Sequence, residues 1–232
     1  TTLYSGLSEV NDISVNIQTA EDPIEYPLAG INQMQMNKSI GLTFAASLRS
    51  FLRQDPNTIL VGEIRDFETA EIAVQASLTG HLVLSTVHTN DAPGALTRMR
   101  DMGVEPFLLA STLRAVIAQR LVRRLCAKCG GRKVIEPALA AMLGIAEGTE
   151  VAEARGCAAC GQSGYDGRIG VFESLRVDDA VRRMIHDGAD ESELAAHAFR
   201  DSPSLTQAAR ELVLAGKTTP EEAARVARRE DG

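Results

Sequence analysis

The stretch Thr58-Ile59-Leu60-Val61-Gly62-Glu63-Ile64-Arg65-Asp66 decides the fold class. Ile59 to Gly62 is a continuous apolar run that ends abruptly in a carboxylate. A strand apolar at every position is buried on both faces, as in a parallel sheet covered by helices. The flanking sequence fits that setting. Thr43 to Arg53 places Phe44, Leu48, Phe51 and Leu52 at helical spacing, and Asp55-Pro56 stops that helix. Ser14 to Thr19 alternates like a strand. Phe67 to Leu78 reads as a helix, His81 to Val87 as another strand, and Pro93 opens a helix that runs to about Met102. Strands alternating with amphipathic helices predict βαβ units around a mostly parallel sheet up to about residue 120.

Composition excludes several classes. The 232 residues, at about 150 per domain, suit one large domain or one domain with a small module. With 44% hydrophobic and 24% charged residues, the chain is neither disordered nor collagen-like. The greasiest stretch, Phe107 to Val122, is broken by Arg114 and Arg120, so it does not span a bilayer, and Thr1 to Tyr4 lacks the basic and apolar regions of a signal peptide. The net charge of −7 opposes binding of duplex DNA or an anionic membrane by the whole surface, and 4% aromatics with no Trp leave few platforms for stacking bases. The reading is a soluble, cytosolic chain without a nucleic-acid partner.

Carboxylates stand at two predicted strand ends. Glu21-Asp22-Pro23-Ile24-Glu25 follows the first strand, and Glu63 ends the apolar run. In open α/β sheets ligands bind at the carboxyl ends of the strands, where acids hold Mg²⁺ or position water. An acidic turn stopped by Pro23 explains the first segment equally well. His81 and His88 bracket the strand between them. Only His88 lies at its carboxyl end, as a candidate γ-phosphate sensor, whereas His81 reads as structural. His186 and His197 fall in predicted tail helices.

Cys126-x-x-Cys129 and Cys157-x-x-Cys160 enclose 27 residues, 130 to 156. Two such knuckles supply four thiolates for a tetrahedral, structural Zn²⁺ site; the alternatives are two disulfides or four unrelated thiols. Four thiolates and Zn²⁺ leave a charge of −2, which Arg123, Arg124, Lys128, Arg132 and Lys133 can offset. A helix fits at Pro137 to Leu143, and from Asp178 onward the periodicity gives about four short helices. Gly216-Lys217-Thr218 imitates a phosphate-binding loop, but Glu211 occupies the required first glycine position and Arg210 to Ala215 reads as helix. It is a helix stop before Pro220.

The segments EDPIEYP (21–27), GLTFAASLRSFLRQDPNTILVGEIRDFETAEIAVQASLTGHLVLSTVHTNDA (41–92) and IAQRLVRRLC (117–126) resemble the secretion ATPases of type II secretion and type IV pilus assembly. The resemblance runs from Thr1 to about Glu173 and more loosely beyond. It implies a RecA-like P-loop NTPase core over 1–125 that begins just after the phosphate-binding loop, a tetracysteine zinc module over 126–160 and a helical connection over 161–232. It also implies that Glu21, Asp22 and Glu25 form the Asp box, that Val61 to Asp66 with Glu63 is the Walker B, and that His81 to His88 is the His box. Thr1 and Thr2 would be the first helical residues after the loop, near bound nucleotide. The expected ligands are ATP, Mg²⁺ and Zn²⁺, and the expected assembly is a homo-hexamer. That hexamer would lie in the cytoplasm against inner-membrane platform proteins, docked through a domain upstream of Thr1. With the phosphate loop also upstream, the chain by itself is expected to hydrolyse ATP poorly. A zinc-stapled scaffold or nucleic-acid module using Arg120 to Lys133 is the rival from another class.

Overall fold

Tyr4 and Leu7, three residues apart and both buried, fasten the first helix, α1 (Thr2–Val10), in the computed structural model, which describes residues 1–227. Strand β1 (Ile17–Glu21) follows, then β2 (Asn32–Gln35), helix α2 (Phe44–Phe51) and β3 (Thr58–Val61). After these come α3 (Phe67–Leu78), β4 (Leu82–Ser85), α4 (Ala92–Asp101) and α5 (Pro106–Thr112). Four strands form one sheet in the order β2-β1-β3-β4, all parallel. β3 is buried at every residue, as the uninterrupted apolar run requires, and β1 is buried throughout as well, with Gln18, Thr19 and Glu21 among its buried residues. Leu7, Ile17 and Leu60 form a fully buried cluster, with Leu3, Val15, Leu28, Ile31 and Leu84 packed against it. Side-chain caps set the helix starts: Thr43 accepts the Ala46 N–H, and Asp66 accepts the Thr69 N–H.

The later elements are β5 (Ala115–Leu125), β6 (Gly130–Val134), α6 (Pro137–Leu143), β7 (Glu150–Ala154), β8 (Tyr165–Arg176), α7 (Asp179–His186), α8 (Glu191–Ala198), α9 (Leu205–Leu214) and α10 (Pro220–Ala227). β5 pairs antiparallel with β8, and β6 with β7, in separate two-stranded sheets. Pairs this small do not stand alone in water. Here Val122 and Val171 from one pair and Ile135 and Val151 around the other close on Leu139, Leu143, Leu205, Val213 and Val226.

The chain divides into two compact units. The first comprises Thr1–Thr89, Ala95–Leu113 and Arg182–Ala189, and the second Asn90–Gly94, Arg114–Val181 and the residues from Asp190 on. This partition differs from the expected boundaries after 125 and 160. β5 pairs antiparallel with β8, with a register shift between Arg123 and Leu125. The cysteine segment and the helical tail likewise share one core instead of forming separate modules.

Gly216 takes φ of +65° just beyond α9, the left-handed conformation that a helix stop needs. The Lys217 carbonyl then accepts the Leu125 N–H at 2.9 Å, and the buried Thr218 hydroxyl donates to the Arg123 carbonyl at 2.8 Å. The Gly-Lys-Thr triplet is a turn that ties α10 to β5. On α10, the buried Glu222 carboxylate accepts the Arg123 N–H at 2.9 Å and the Arg123 guanidinium at 2.8 Å. Burial opposes the Glu222 charge, but the Arg123 bonds outweigh it and hold the carboxyl below its ordinary 4.5. A lowered folded-state value contributes stability above the unfolded value, and that contribution is lost as pH falls through the folded one. Glu222→Gln should therefore lower unfolding stability by about 1–3 kcal/mol at pH 7, a difference that shrinks below about pH 4.5. Denaturant titrations of both proteins across pH 3 to 7 measure it.

Candidate functional site

Because β1, β3 and β4 run in one direction, their carboxyl ends share one edge of the sheet. The register aligns Ala20 with Val61 and Val61 with Ser85. Glu21, Gly62 and Thr86 are consequently level, and Glu63 and His88 follow just beyond. Gly62 donates to the Ala20 carbonyl at 2.8 Å, and a Cβ there would sit 3.2 Å from that same oxygen. The lack of a side chain lets the chain turn out of the sheet with its backbone bond intact. From β4, Thr86 Oγ1 donates to the Gly62 carbonyl at 2.7 Å, and the Thr86 carbonyl accepts the Ile64 N–H at 2.9 Å. The loops carrying Glu63 and His88 are thus bonded to each other.

Glu63 Oε2 lies 3.1 Å from His88 Nε2 and 2.5 Å from Arg65 Nε. The Glu63 side chain is only 15% exposed, whereas His88 is 78% and Arg65 63% exposed. A mostly enclosed carboxylate therefore faces outward through an imidazole and a guanidinium at solvent. That arrangement can hold a water beside an anionic group and take up its proton.

Glu21 differs from its neighbours. It is 4% exposed, and its carboxylate accepts Tyr4 Oη on one oxygen and Thr19 Oγ1 and Gln33 Nε2 on the other. Burial, with the neighbouring Glu21 carboxylate, pushes the Tyr4 phenol above its ordinary range. The Glu25 N–H reaches the same phenol oxygen at 3.3 Å. Glu21 is thus the acceptor around which α1, β2 and the acidic turn are arranged, and both its oxygens have partners. Asp22 and Glu25 are exposed on that turn. His81 lies before β4, at the opposite edge, with Nδ1 2.9 Å from the Ala76 carbonyl and 3.0 Å from Thr79 Oγ1. Thr1 is the N-cap residue of α1 without a side-chain cap bond, and Thr2 is the first helical residue. Thr86, Tyr4 and Gln33 are the site residues that pattern reading passes over, because their roles come from partners distant in sequence.

In the second unit, the sulfurs of Cys126, Cys129, Cys157 and Cys160 lie within 4.8 Å of one another. All four are free thiols in the structure. Cys160 Sγ is 3.7 Å from Cys129 Sγ and 3.8 Å from Cys157 Sγ. Tetrahedral Zn–S bonds of about 2.3 Å place sulfurs about 3.8 Å apart, so the donor set fits Zn²⁺. Burial resists ionisation of Cys160, yet the Cys157 and Gly164 N–H groups, each 3.2 Å away, and the neighbouring thiols pull it to about 6. Burial, reinforced by the adjoining thiols, pushes Cys129 up to about 12. The cluster joins the end of β5, the start of β6, the end of β7 and the start of β8. Three of the five nearby cations are engaged elsewhere: Arg123 with Glu222, Lys133 with Glu221 at 2.5 Å, and Arg124 with the Asp166 carbonyl at 3.0 Å.

The family described as type II/IV secretion system protein matches residues 1–225. Type II secretion system protein E of Pseudomonas aeruginosa is 53% identical over 99% of this chain and 46% of its own length. The type IV pilus assembly ATPase PilB of Myxococcus xanthus is 50% identical over 96% of the chain and 40% of its own length. The chain thus spans about half the length of the curated relatives it matches. The crystal structure of the pilus retraction motor PilT with bound ADP superposes with a TM-score of 0.73 at 27% identity, over 97% of this chain and 57% of that one.

Two outcomes test these sites. Tyr4→Phe removes one donor from a buried carboxylate and should cost about 1–3 kcal/mol in chemical denaturation. Metal analysis should find about one zinc per chain, falling well below that in Cys160→Ser together with loss of cooperative unfolding of the second unit.

Proposed function

The chain belongs to the type II/IV secretion system protein family, and from that premise we propose that it is the catalytic-carboxylate part of an ATP-hydrolysing motor of bacterial type II secretion. The motor would couple ATP turnover to pseudopilus assembly and protein export. The observation that carries this reading is Glu63 Oε2 at 3.1 Å from His88 Nε2, at the carboxyl edge of a parallel sheet. Glu63 would orient a water and accept its proton as the water oxygen bonds the γ-phosphorus and the bond to the bridging oxygen breaks, releasing ADP. His88, bonded to that carboxylate and exposed, would read whether a γ-phosphate is present. Arg65 would hold Glu63 in position.

Mg²⁺, bound with ATP, supplies neutralisation of phosphate charge. Asp22 and Glu25, exposed on their turn, and the second oxygen of Glu63 would be the donors available to it at this edge, and Glu21 would serve as their scaffold. Thr1 and Thr2 would lie where α1 approaches the nucleotide. Among the described residues β4 pairs only with β3, and its Leu82 is 44% exposed. Parallel strands are ordinarily covered, so a further strand and the phosphate-binding loop would come from the part of the relatives that this chain does not span. The motor would be a homo-hexamer on the cytoplasmic side of the inner membrane, against platform proteins; no helix among the described residues is long and apolar enough to cross a membrane. Zn²⁺ on the four thiols would be structural.

The 50% identity to a pilus assembly ATPase supports a second reading, extension of a type IV pilus by the same chemistry. The nucleic-acid module loses support because Arg123, Arg124 and Lys133 bond to groups of the chain itself.

In a protein spanning the relatives' full length, Glu63→Gln should lower ATP turnover by about 100-fold or more while ATP still binds. Full activity in that variant would refute the assignment of Glu63.

A further inference from the structure

Gly62 is a point of weakness next to Glu63. The closeness of β1 selects glycine there, since a Cβ would sit 3.2 Å from the Ala20 carbonyl oxygen and 3.5 Å from Glu21 Cα. A residue without Cβ restrains its own backbone rotations poorly, so the peptide between Gly62 and Glu63 needs support from elsewhere. The Gly62 N–H is tied to the Ala20 carbonyl at 2.8 Å. That bond fixes the peptide plane before the glycine but leaves the plane after it free.

The support comes from Thr86. β3 and β4 pair with Val61 opposite Ser85, so Gly62 and Thr86 leave the sheet side by side. Thr86 Oγ1 donates to the Gly62 carbonyl at 2.7 Å, and the Thr86 carbonyl accepts the Ile64 N–H at 2.9 Å. Thr86 thus holds both peptides that flank Glu63, the entering one by its carbonyl and the leaving one by its N–H. Any residue at position 86 would offer the carbonyl, whereas the hydroxyl at that reach calls for Thr or Ser. Thr86 is exposed, so water competes for the hydroxyl bond and its net contribution to stability is small. What the bond does fix is direction. Two residues past Thr86, His88 Nε2 lies 3.1 Å from Glu63 Oε2. All of these groups belong to the first unit.

We infer that Thr86 is a positioning residue, whose hydroxyl fixes the Gly62–Glu63 peptide and thereby aims the Glu63 carboxylate at His88. The inference rests on the ATPase reading, in which Glu63 is the base, and deepens it by naming the group that orients that base. Thr86 acts through Glu63 and not on the nucleotide.

The test uses NMR signals of the chain, with the His88 ring assigned by His88→Gln and its detached state defined by Glu63→Gln. Thr86→Val keeps the branched shape and removes the donor, whereas Thr86→Ser keeps the donor and removes a methyl. In Thr86→Val the Gly62 carbonyl carbon signal should shift upfield as its bond is lost. The His88 ring signals should move most of the way to their Glu63→Gln positions while those of His81 stay. In Thr86→Ser all of these should remain near wild type. If Thr86→Val does not fold, Thr86→Ala removes the same donor, and the same shifts are expected. His88 signals that stay at wild-type positions once the donor is gone would overturn the proposal, even if the melting temperature falls. So would an unmoved Gly62 carbonyl signal, or a serine variant that behaves like the valine one. In a protein spanning the relatives' full length, Thr86→Val should lower kcat by about tenfold with KM for ATP within about twofold, and Thr86→Ser should keep kcat within about twofold of wild type. An unchanged kcat in Thr86→Val, with the wild type turning over, would also overturn it. Absence of turnover in the wild-type full-length protein would refute the motor reading and leave the NMR result to decide the role of Thr86.

Discussion

The common direction of β1, β3 and β4 is the constraint on which the rest of the first unit depends. Parallel pairing in one register puts Glu21, Gly62 and Thr86 at one level, so every side chain proposed to act on nucleotide emerges from the same edge. The same constraint sends His81 to the far edge, where it caps backbone groups instead. Two kinds of carboxylate result. Glu21 is buried and surrounded by donors, which suits it to hold elements together. Glu63 lies one residue past a glycine that lets the backbone leave the sheet, which suits it to meet a substrate.

The second unit solves a different physical problem. Its strands are paired two by two, and pairs of that size hold together only when something else joins them. The four thiols gathered at the ends of β5, β6, β7 and β8, with the Zn²⁺ proposed for them, would provide one junction, and the core shared with α6, α9 and α10 provides the other. Charges reinforce the second junction through Glu222 on Arg123 and Glu221 on Lys133, both reaching from α10 to strands far away in sequence. The basic run beside the cysteines is therefore part of the packing of this unit.

Much of this was legible in the chain. The helices at Phe67–Leu78 and Pro137–Leu143 fall where periodicity put them, since each has a clear cap or proline start and an apolar face. The strand end carrying Glu63 was legible because an apolar run closed by a carboxylate marks such an end, and a strand before Glu21 because Ser14 to Thr19 alternates. β5 was not, because Val116 and Val122 face inward while Ile117 and Leu121 face outward, which erases the alternation that identifies a half-buried strand. β2 was hidden by its polar sequence, Asn32-Gln33-Met34-Gln35, whose Gln33 is there to serve Glu21. Nothing in the local sequence marks Glu173 and Arg120 as neighbours; the antiparallel register places them on one inward face. Local pattern reports caps and burial, but it carries no signal for bonds that span eighty residues.

The central claim is that the edge bearing Glu63 and His88 reads the terminal phosphate of a nucleotide. It is tested most directly by following the His88 ring signals in the full-length protein carrying Glu63→Gln, titrated in turn with Mg-ATP and Mg-ADP. The account predicts a saturable shift with ATP that ADP does not reproduce. Identical shifts with both nucleotides, or none with either, would contradict it.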